Sequence, residues 1–279
     1  AEYKDIKGFK VQTVSTDPAA SAIAGGTWAS GTDLNTTKFA SGSGGTGNNS
    51  AIVFGGFTPT ALALTETYNG SSWTEVNDLN TARGGGAGIG NDSITANLYV
   101  GSGVPTPVSA QNESWNGTSW TEVGDLNAGK QYLSSAGTQT SGIIFGGRTD
   151  PTTPTGQTET WNGTSWTEVN DLNSPRISAA GVGTQTAALN IGGLPSPGNP
   201  TSNLVESWNG TSWSEITEIN TGRRNGGSAG EQTDALFFGG LIDPANSANT
   251  EYYDGSTWTE LADLSVARYG ISNGSIGTS

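Results

Sequence analysis

The sequence contains no cysteine, no methionine and no histidine. Without them the chain has no disulfide or thiol nucleophile, and no zinc, copper or haem site built on Cys, His or Met ligands. We therefore expect neither a cofactor nor a metal. No apolar run approaches the roughly 20 residues of a membrane-spanning helix, so we expect no membrane insertion. The first residues, AEYKDIKGFK, lack the apolar core of a secretory signal, which predicts synthesis in a cytoplasm without a signal peptide.

Basic residues are scarce. The chain has 11 Lys and Arg against 25 Asp and Glu, a formal net charge of −14. An acidic surface of this size repels phosphate groups, so nucleic acid is not an expected partner. Low hydrophobic content (32%) and low charged content (13%) alone would suggest disorder. The regular spacing of the aromatic residues indicates a folded repeat instead.

The stretch TETWNGTSWTEVNDLN at 158–173 recurs almost letter for letter at 65–80, with weaker copies at 112–127, 205–220 and 250–265. Its second tryptophan can serve as an anchor. That anchor stands at Trp28, Trp73, Trp120, Trp166, Trp213 and Trp258, at spacings of 45, 47, 46, 47 and 45 residues. A period of about 40–50 residues is typical of a four-stranded propeller blade.

Each unit has the same order of features. An apolar run ends in glycines, as in the stretch IIFGG at 143–147, and a variable segment follows. A short strand then ends in an aromatic residue. The Asn-Gly or Asp-Gly pair that follows predicts a tight type I′ hairpin. The anchor tryptophan begins the next strand. A strand rich in Gly, Ser and Ala leads into the next unit and fits the crowded centre of a propeller. We expect the anchor tryptophans to pack between blades rather than to stack on a ligand.

Four features of the unit resemble the kelch repeat over about residues 25–275. They are the Gly-Gly after an apolar strand, the aromatic residue about thirteen residues later, the tryptophan five or six residues beyond it, and the basic residue before the next unit. The resemblance implies an all-β fold, a kelch-like β-propeller. Five hairpins are complete, and the N-terminal and C-terminal ends each carry part of a sixth unit. We predict one domain, residues 1–279, forming six blades: 36–268 hold five full repeats, 269–279 supply an inner strand, and 1–35 supply closing strands drawn from Phe9–Val14 through Leu34.

Charged residues also follow the repeat. A basic residue stands ten positions after each anchor tryptophan, at Lys38, Arg83, Lys130, Arg176, Arg223 and Arg268. An acid stands five positions after it, at Asp33, Asp78, Asp125, Asp171, Glu218 and Asp263. The cations could ring the axis and hold an anionic ligand, or each could pair with a nearby acid and fix the connection between blades. The matching registers favour the second interpretation.

Because strands alternate in direction, the variable segments share one face of the propeller, and the Asn-Gly hairpins lie on the other. The copies of the repeat disagree in these segments, which makes them candidates for binding a partner, although drift in exposed loops would give the same pattern. The candidate binding residues are Thr58, Pro59, Pro105, Pro107, Arg148, Asp150, Pro195, Asn199, Asp243 and Asn246. The variable segments contain few aromatic residues. This composition fits a lattice contact between proteins, or weak glycan contacts multiplied by many copies.

No catalytic residues are predicted. Without His or Cys, acid–base and nucleophilic roles would fall to carboxylates, Ser or Lys, and the repeated acids present no unique pair of the kind that glycoside hydrolysis needs.

The chain is similar to structural proteins of marine tailed bacteriophages, which are kelch-like propellers that decorate virions or tail fibres. The similarity rests on the N-terminal segment YKDIKGFKVQTVSTDPAASAIAGGTW and on the near-identical WNGTSWTEVNDLN units that follow it. The resemblance implies a non-enzymatic virion protein that docks on other virion proteins and contacts a host cell-surface glycan or protein. Two alternatives stay open: a lectin-like propeller acting as a receptor-binding protein, and a glycan-active enzyme based on carboxylates.

Overall fold

The computed structural model describes residues 27–90, 93–103, 108–196 and 200–271. These residues form five four-stranded antiparallel sheets, each made from one continuous segment with its strands paired in chain order. This arrangement confirms the predicted all-β propeller, because the four strands of a unit complete one blade before the chain moves to the next.

The first two blades hold strands β1 to β10. Blade 1 consists of β1 (Gly42–Gly47), β2 (Ser50–Phe54), β5 (Thr65–Tyr68) and β6 (Trp73–Val76), with the short pair β3 (Phe57–Thr58) and β4 (Thr60–Ala61) in its variable loop. Blade 2 consists of β7 (Ala87–Ile89), β8 (Asn97–Ser102), β9 (Ser109–Trp115) and β10 (Trp120–Val123).

The other three blades hold strands β11 to β24. Blade 3 consists of β11 (Ser134–Thr138), β12 (Ser141–Phe145), β13 (Thr158–Trp161) and β14 (Trp166–Val169). Blade 4 consists of β15 (Ala180–Thr184), β16 (Ala187–Ile191), β17 (Val205–Trp208) and β18 (Trp213–Ile216). Blade 5 consists of β19 (Gly227–Glu231), β20 (Asp234–Phe238), β23 (Thr250–Tyr253) and β24 (Trp258–Glu260), with the short pair β21 (Leu241–Ile242) and β22 (Ala245–Asn246) in its variable loop.

The Asn-Gly hairpins differ from the sequence expectation. In blade 3 the last paired residues are Trp161 and Trp166, so the loop holds four residues rather than two. Only the glycine has a positive φ, 92° at Gly163. The Asn162 side-chain oxygen accepts hydrogen bonds of 2.9 Å from the amides two and three residues further on. The type I′ prediction is therefore wrong, because the asparagine side chain closes the turn as in an Asx turn.

The small residues of the first strands are required by close contact at the centre. Consecutive first strands lie against one another from β1 through β19. A Cβ built on Gly181 would lie 2.3 Å from the Ser135 carbonyl oxygen, and one on Gly88 would lie 2.4 Å from the Ser43 nitrogen. Backbones this close leave no room for a side chain, which explains the Gly, Ser and Ala composition of these strands.

Each pair of neighbouring blades shares its own hydrophobic cluster. One cluster joins blades 1 and 2 through Phe54, Tyr99 and Trp120, and three further clusters join blades 2 and 3, 3 and 4, and 4 and 5. Four of the six anchor tryptophans, Trp120, Trp166, Trp213 and Trp258, lie in these clusters. Trp120 and Trp213 are each about 4.8 Å from a phenylalanine of the preceding blade. The side chains of the repeated stretch therefore form the packing between blades.

Five of the six repeated cations are buried in ion pairs, but with acids other than those five residues after each tryptophan. The partners are Glu66 for Lys38, Glu113 for Arg83, Glu159 for Lys130, Glu206 for Arg176 and Glu251 for Arg223. These acids stand seven residues before the anchor, inside the third strand, where they face the connection from the preceding blade. In contrast, Asp78 and Asp171 accept hydrogen bonds from the Thr65 and Thr158 amides.

Six residues with left-handed backbones surround the axis: Ala40, Gly85, Tyr132, Ser178, Asn225 and Gly270, with φ between 53° and 77°. Each of the last five donates its amide hydrogen to the carbonyl of the one before it, at 2.7–2.9 Å. The chain then lies back beside its first position, since a Cβ on Gly270 would be 3.3 Å from the Phe39 Cβ. The ring of left-handed residues around the axis therefore has six members.

The prediction of six blades is nevertheless not met, because the described residues form five. Residues 27–38 and 269–271 contain no strand. The rest of the predicted closing segments, 1–26 and 272–279, lies outside the described residues. The structure leaves a groove between blades 5 and 1, at the position a sixth blade would take.

Candidate functional site: the loop face and the open groove

The variable segments and the connections between blades lie on one side of the propeller, which we call the loop face. Of the candidate residues, Thr58, Pro59, Arg148, Asp150, Pro195, Asp243 and Asn246 all lie on it, half-buried or exposed. Pro105, Pro107 and Asn199 lie outside the described residues. Within the described part of the chain, no hydrogen bond or ion pair joins candidate residues of different blades, so they form separate sites around a ring.

The blade 3 loop is ordered by its own charged residues. The Asp150 carboxylate accepts hydrogen bonds from the amides of Thr152 and Thr153, at 2.7 and 2.9 Å, and these bonds lower the pKa of Asp150. Arg148 donates to the Pro151 carbonyl at 2.7 Å, and its guanidinium lies 5.1 Å from the centre of the Tyr132 ring. Arg148 and Tyr132 thus present a fixed cation on an aromatic face near the axis.

The blade 5 loop carries an ion pair that the sequence did not suggest. Arg224 binds the Asp243 carboxylate through two nitrogens, Nε at 3.1 Å and Nη2 at 2.8 Å. This hydrogen bonding lowers the pKa of the Asp243 carboxyl. Arg224 directly follows the repeated Arg223, at a position where the other units carry Phe39, Gly84, Gln131, Ile177 and Tyr269. This departure from the repeat is the sequence feature from which a special role of Arg224 could have been predicted.

The centre of the loop face is shallow. A depression of about 90 Å³ is lined by the residues of the left-handed ring and by small neighbours such as Ser41 and Gly86. Its backbone floor and small volume suit a few water molecules. The repeated cations do not line it, since five of them are buried in ion pairs. The alternative of a cationic ring holding an anion on the axis is therefore wrong for those five.

Burial and ion pairing set the charge state of these cations. Desolvation lowers the pKa of Arg83, Arg176 and Arg223, and the partner glutamates oppose that shift. Burial also raises the pKa of Tyr99, beside Arg83, to about 12. An arginine stays protonated after such a shift, so these three guanidinium groups remain positively charged inside the blade interfaces.

A groove lies between blades 5 and 1. It encloses about 550 Å³ and is lined by β1, β2, β19 and β20, by Trp28 and by residues 268–271. Two large exposed hydrophobic side chains line it, Trp28 (37%) and Tyr269 (50%). Large apolar side chains that are exposed in one groove are typical of an interaction surface.

Trp28 is bound to blade 5 as other anchor tryptophans are bound to their neighbours. Its indole nitrogen donates to the Thr250 hydroxyl at 3.1 Å, and its ring lies 5.0 Å from that of Phe238. On the other side of the groove, Asn35 and Lys38 bind Glu66 of blade 1. Residues 27–38 thus keep the side-chain contacts of a blade edge without forming a strand.

The described residues contain no group of three or more Asp and Glu side chains placed to hold a metal ion. They also hold no helix with the length and apolarity that a membrane span requires.

Comparison with solved structures identifies the fold. The structure of YjhT, a propeller, superposes with a TM-score of 0.71 over 86% of this chain and 88% of that chain, at 12% sequence identity. Identity this low shows a shared fold and nothing about function. The sequence matches no protein-family model and no curated protein. The chain is therefore a β-propeller by its architecture.

Proposed function

We propose that this chain is a non-enzymatic structural protein of a bacteriophage virion, a six-bladed, kelch-like propeller on the capsid surface or the tail. It docks on other virion proteins through the loop face and contributes to attachment to the host. It is made in the host cytoplasm and binds neither nucleic acid nor a membrane interior.

The observation that carries the proposal is the contrast between the two faces. The opposite face repeats one hairpin, in which Asn116, Asn162 and Asn209 make the same pair of hydrogen bonds. On the loop face three blades differ in the described residues: an aromatic pair Phe39–Phe57 near blade 1, Arg148 on Tyr132 near blade 3, and the Arg224–Asp243 pair at blade 5. A specific protein–protein contact needs a surface whose polar, charged and aromatic groups differ from place to place, as they do on the loop face.

The disposition of the charged groups supports a role without catalysis. Glycoside hydrolysis needs two carboxyl groups facing one cleft. The five third-strand glutamates are bound to cations inside the blade interfaces and are at most 2% exposed, so they cannot reach a substrate on the surface.

A second candidate, a lectin-like receptor-binding propeller, is favoured by Tyr132 and Arg148. A half-buried aromatic ring carrying a fixed guanidinium stands beside the backbone of Gly85 and Gly86. A flat floor next to an aromatic ring and a guanidinium suits a sugar ring, with weak single-site affinity raised by many copies.

The test is a cryo-EM reconstruction of the virion that contains the chain, combined with binding of purified variants to particles stripped of it. We expect Arg148→Glu and Asp243→Lys to reduce binding by about tenfold or more, in line with the loss of a central charged contact. The matched control on the hairpin face is Thr164→Glu. Loss of binding in the control alone would reverse the docking face, and absence of the chain from every particle would overturn the virion proposal. A glycan array with the same variants tests the second candidate.

A further inference from the structure

Asn190 is a buried polar side chain that the surrounding protein does not satisfy. It lies in β16 of blade 4 and is 1% exposed. Within the described residues, neither its side-chain oxygen nor its side-chain nitrogen has a hydrogen-bond partner. A buried amide group costs free energy unless something binds it. Asn190 therefore needs a ligand other than its protein neighbours.

The position of Asn190 in the repeat faces the preceding blade. It stands two residues before the first glycine that follows the second strand, where the other described blades carry Val53, Tyr99, Ile144 and Phe237. Of these, Tyr99, Ile144 and Phe237 each contribute to the hydrophobic cluster that their blade shares with the one before it or lie over it. Asn190 is thus the polar exception at a hydrophobic position, in the interface between blades 3 and 4.

In the other units, a large side chain of the following unit covers the first glycine after the second strand. A Cβ built on that glycine would lie close to the covering side chain, at 2.8 Å for Gly55 and Tyr99, 3.3 Å for Gly101 and Leu133, 3.5 Å for Gly192 and Phe237, and 2.5 Å for Gly239 and Ile271. The covering residue is either the aromatic residue of the second strand or an aliphatic residue three positions after the repeated cation. One large hydrophobic side chain therefore closes each of these four places.

Gly146 of blade 3 is not covered in this way. A Cβ built on it would lie 2.7 Å from the Arg176 carbonyl oxygen and 3.3 Å from the Leu172 side chain, and the third-nearest atom, the Thr155 carbonyl oxygen, is 3.8 Å away. None of these three atoms belongs to the two residues of blade 4 that occupy the covering positions. The side chains of blade 4 thus stop short of Gly146.

The two residues at the covering positions of blade 4 are both small. They are Ala179 and Asn190, and together their side chains have about two non-hydrogen atoms fewer than the phenylalanine that covers Gly192. Protein interiors are closely packed, and a space of this size that polar groups line holds one or two water molecules. The Asn190 amide supplies the polar lining.

We propose that the interface between blades 3 and 4 contains a binding site for one or two buried water molecules, held by the side-chain amide of Asn190 beside Gly146. The ligand must accept a hydrogen bond from Nδ2 and donate one to Oδ1, and water does both. The charged groups next to the site favour a neutral ligand. The Arg176 guanidinium donates to the Asn190 carbonyl at 3.0 Å, which repels a cation, and Glu206 neutralises Arg176, which removes the attraction for an anion.

The first test is a high-resolution crystal structure of the protein and two variants. We expect electron density within hydrogen-bond distance of both Nδ2 and Oδ1 of Asn190. Asn190→Leu keeps the size of the side chain and removes its polar atoms, so this density should disappear. Leu189→Ile is the matched control, because Leu189 packs in the cluster between blades 4 and 5, and it should keep the density. A direct hydrogen bond from the Asn190 amide to a protein atom, without water, would overturn the proposal. An anomalous peak at the site in crystals soaked with bromide would identify an anion and overturn it as well.

A second test fills the site with the side chains of blade 5. Asn190→Phe together with Ala179→Gly recreates the pair of Phe237 and Gly226. We expect the melting temperature of this double variant to stay within about 3 °C of the unmodified chain or to exceed it, because the ring takes the place of the water.

The control for this test is Ile144→Phe, the same aromatic residue at the equivalent position of blade 3. There Leu133 already covers Gly101, so the larger side chain overpacks the interface and should lower the melting temperature by about 4 °C or more. Equal effects of the two changes would show that the interface between blades 3 and 4 has no additional space, and would contradict the proposal.

Discussion

The indole nitrogen of Trp213 in blade 4 donates a hydrogen bond of 3.1 Å to the hydroxyl of Thr158 in blade 3. Thr158 is fully buried, so this bond crosses the interface between two blades where water cannot replace it. A tryptophan that serves packing alone would need no acceptor. The pair shows that the interface specifies the orientation of the ring as well as its burial.

Replacing Thr158 by valine keeps the volume and removes the acceptor. We expect this variant to lose about 1–3 kcal/mol of unfolding free energy, because a buried N–H is left without a partner. Thr158→Ser, which keeps the hydroxyl, should lose less. The comparison is made by urea denaturation. If both variants lost the same amount, the cost would come from packing and the hydrogen bond would contribute nothing.

Replacing Glu206 by glutamine should destabilise the chain by about 3–5 kcal/mol. The Arg176 guanidinium lies 2.5 Å from Glu206 with both side chains buried, and the substitution leaves a buried cation without a counter-charge. Glu215→Gln, an exposed acid on the neighbouring strand of the same blade, is the matched control and should change stability by less than about 0.5 kcal/mol. A small effect at Glu206 would mean that water enters the interface.

Tyr99 predicts a loss of stability at high pH. Its folded pKa is raised to about 12 by burial, above the value of about 10 for an unfolded chain. Below pH 10 the phenol is protonated in both states and its contribution is fully present. Between pH 10 and 12 the unfolded chain loses the proton first, so the contribution falls as pH rises.

We therefore expect unfolding free energy to decrease more steeply from pH 10 to 12 in the unmodified chain than in Tyr99→Phe. The difference should reach about 3 kcal/mol at most. Denaturant titrations at several pH values measure it, and absorbance at 295 nm follows tyrosine ionisation. Parallel pH profiles for the two proteins would show that Tyr99 ionises in the folded state at its ordinary pKa.

Gly181 should not tolerate alanine. The added Cβ would lie 2.3 Å from the Ser135 carbonyl oxygen and 2.9 Å from its nitrogen, both backbone atoms of a neighbouring first strand. We expect a loss of about 3 kcal/mol or more, at the upper end of overpacking effects. Gly31→Ala is the control, because no atom lies within 4 Å of the added Cβ. A mild effect at Gly181 would show that the strands at the axis can move apart.

The spacing of the tryptophans was sufficient to predict the fold class, because a repeated interface requires repeated side chains. The partner of each cation was not predicted. Glu159 stands in an alternating strand, and only the three-dimensional packing shows that it faces the connection carrying Lys130. The Arg224–Asp243 pair joins two segments 19 residues apart through a loop shape that no periodic pattern specifies. The turn type was missed because the asparagine side chain, rather than the backbone, closes the loop.

The four hydrophobic clusters each belong to two adjacent blades, and none of them extends over three. Energetic coupling within the described chain therefore runs from neighbour to neighbour, as in a linear array. A defect between blades 3 and 4 weakens that junction directly and reaches blade 1 only through the intervening ones. Losses at separate junctions should add, and amide hydrogen exchange should reveal a gradient along the ring in place of a single global opening.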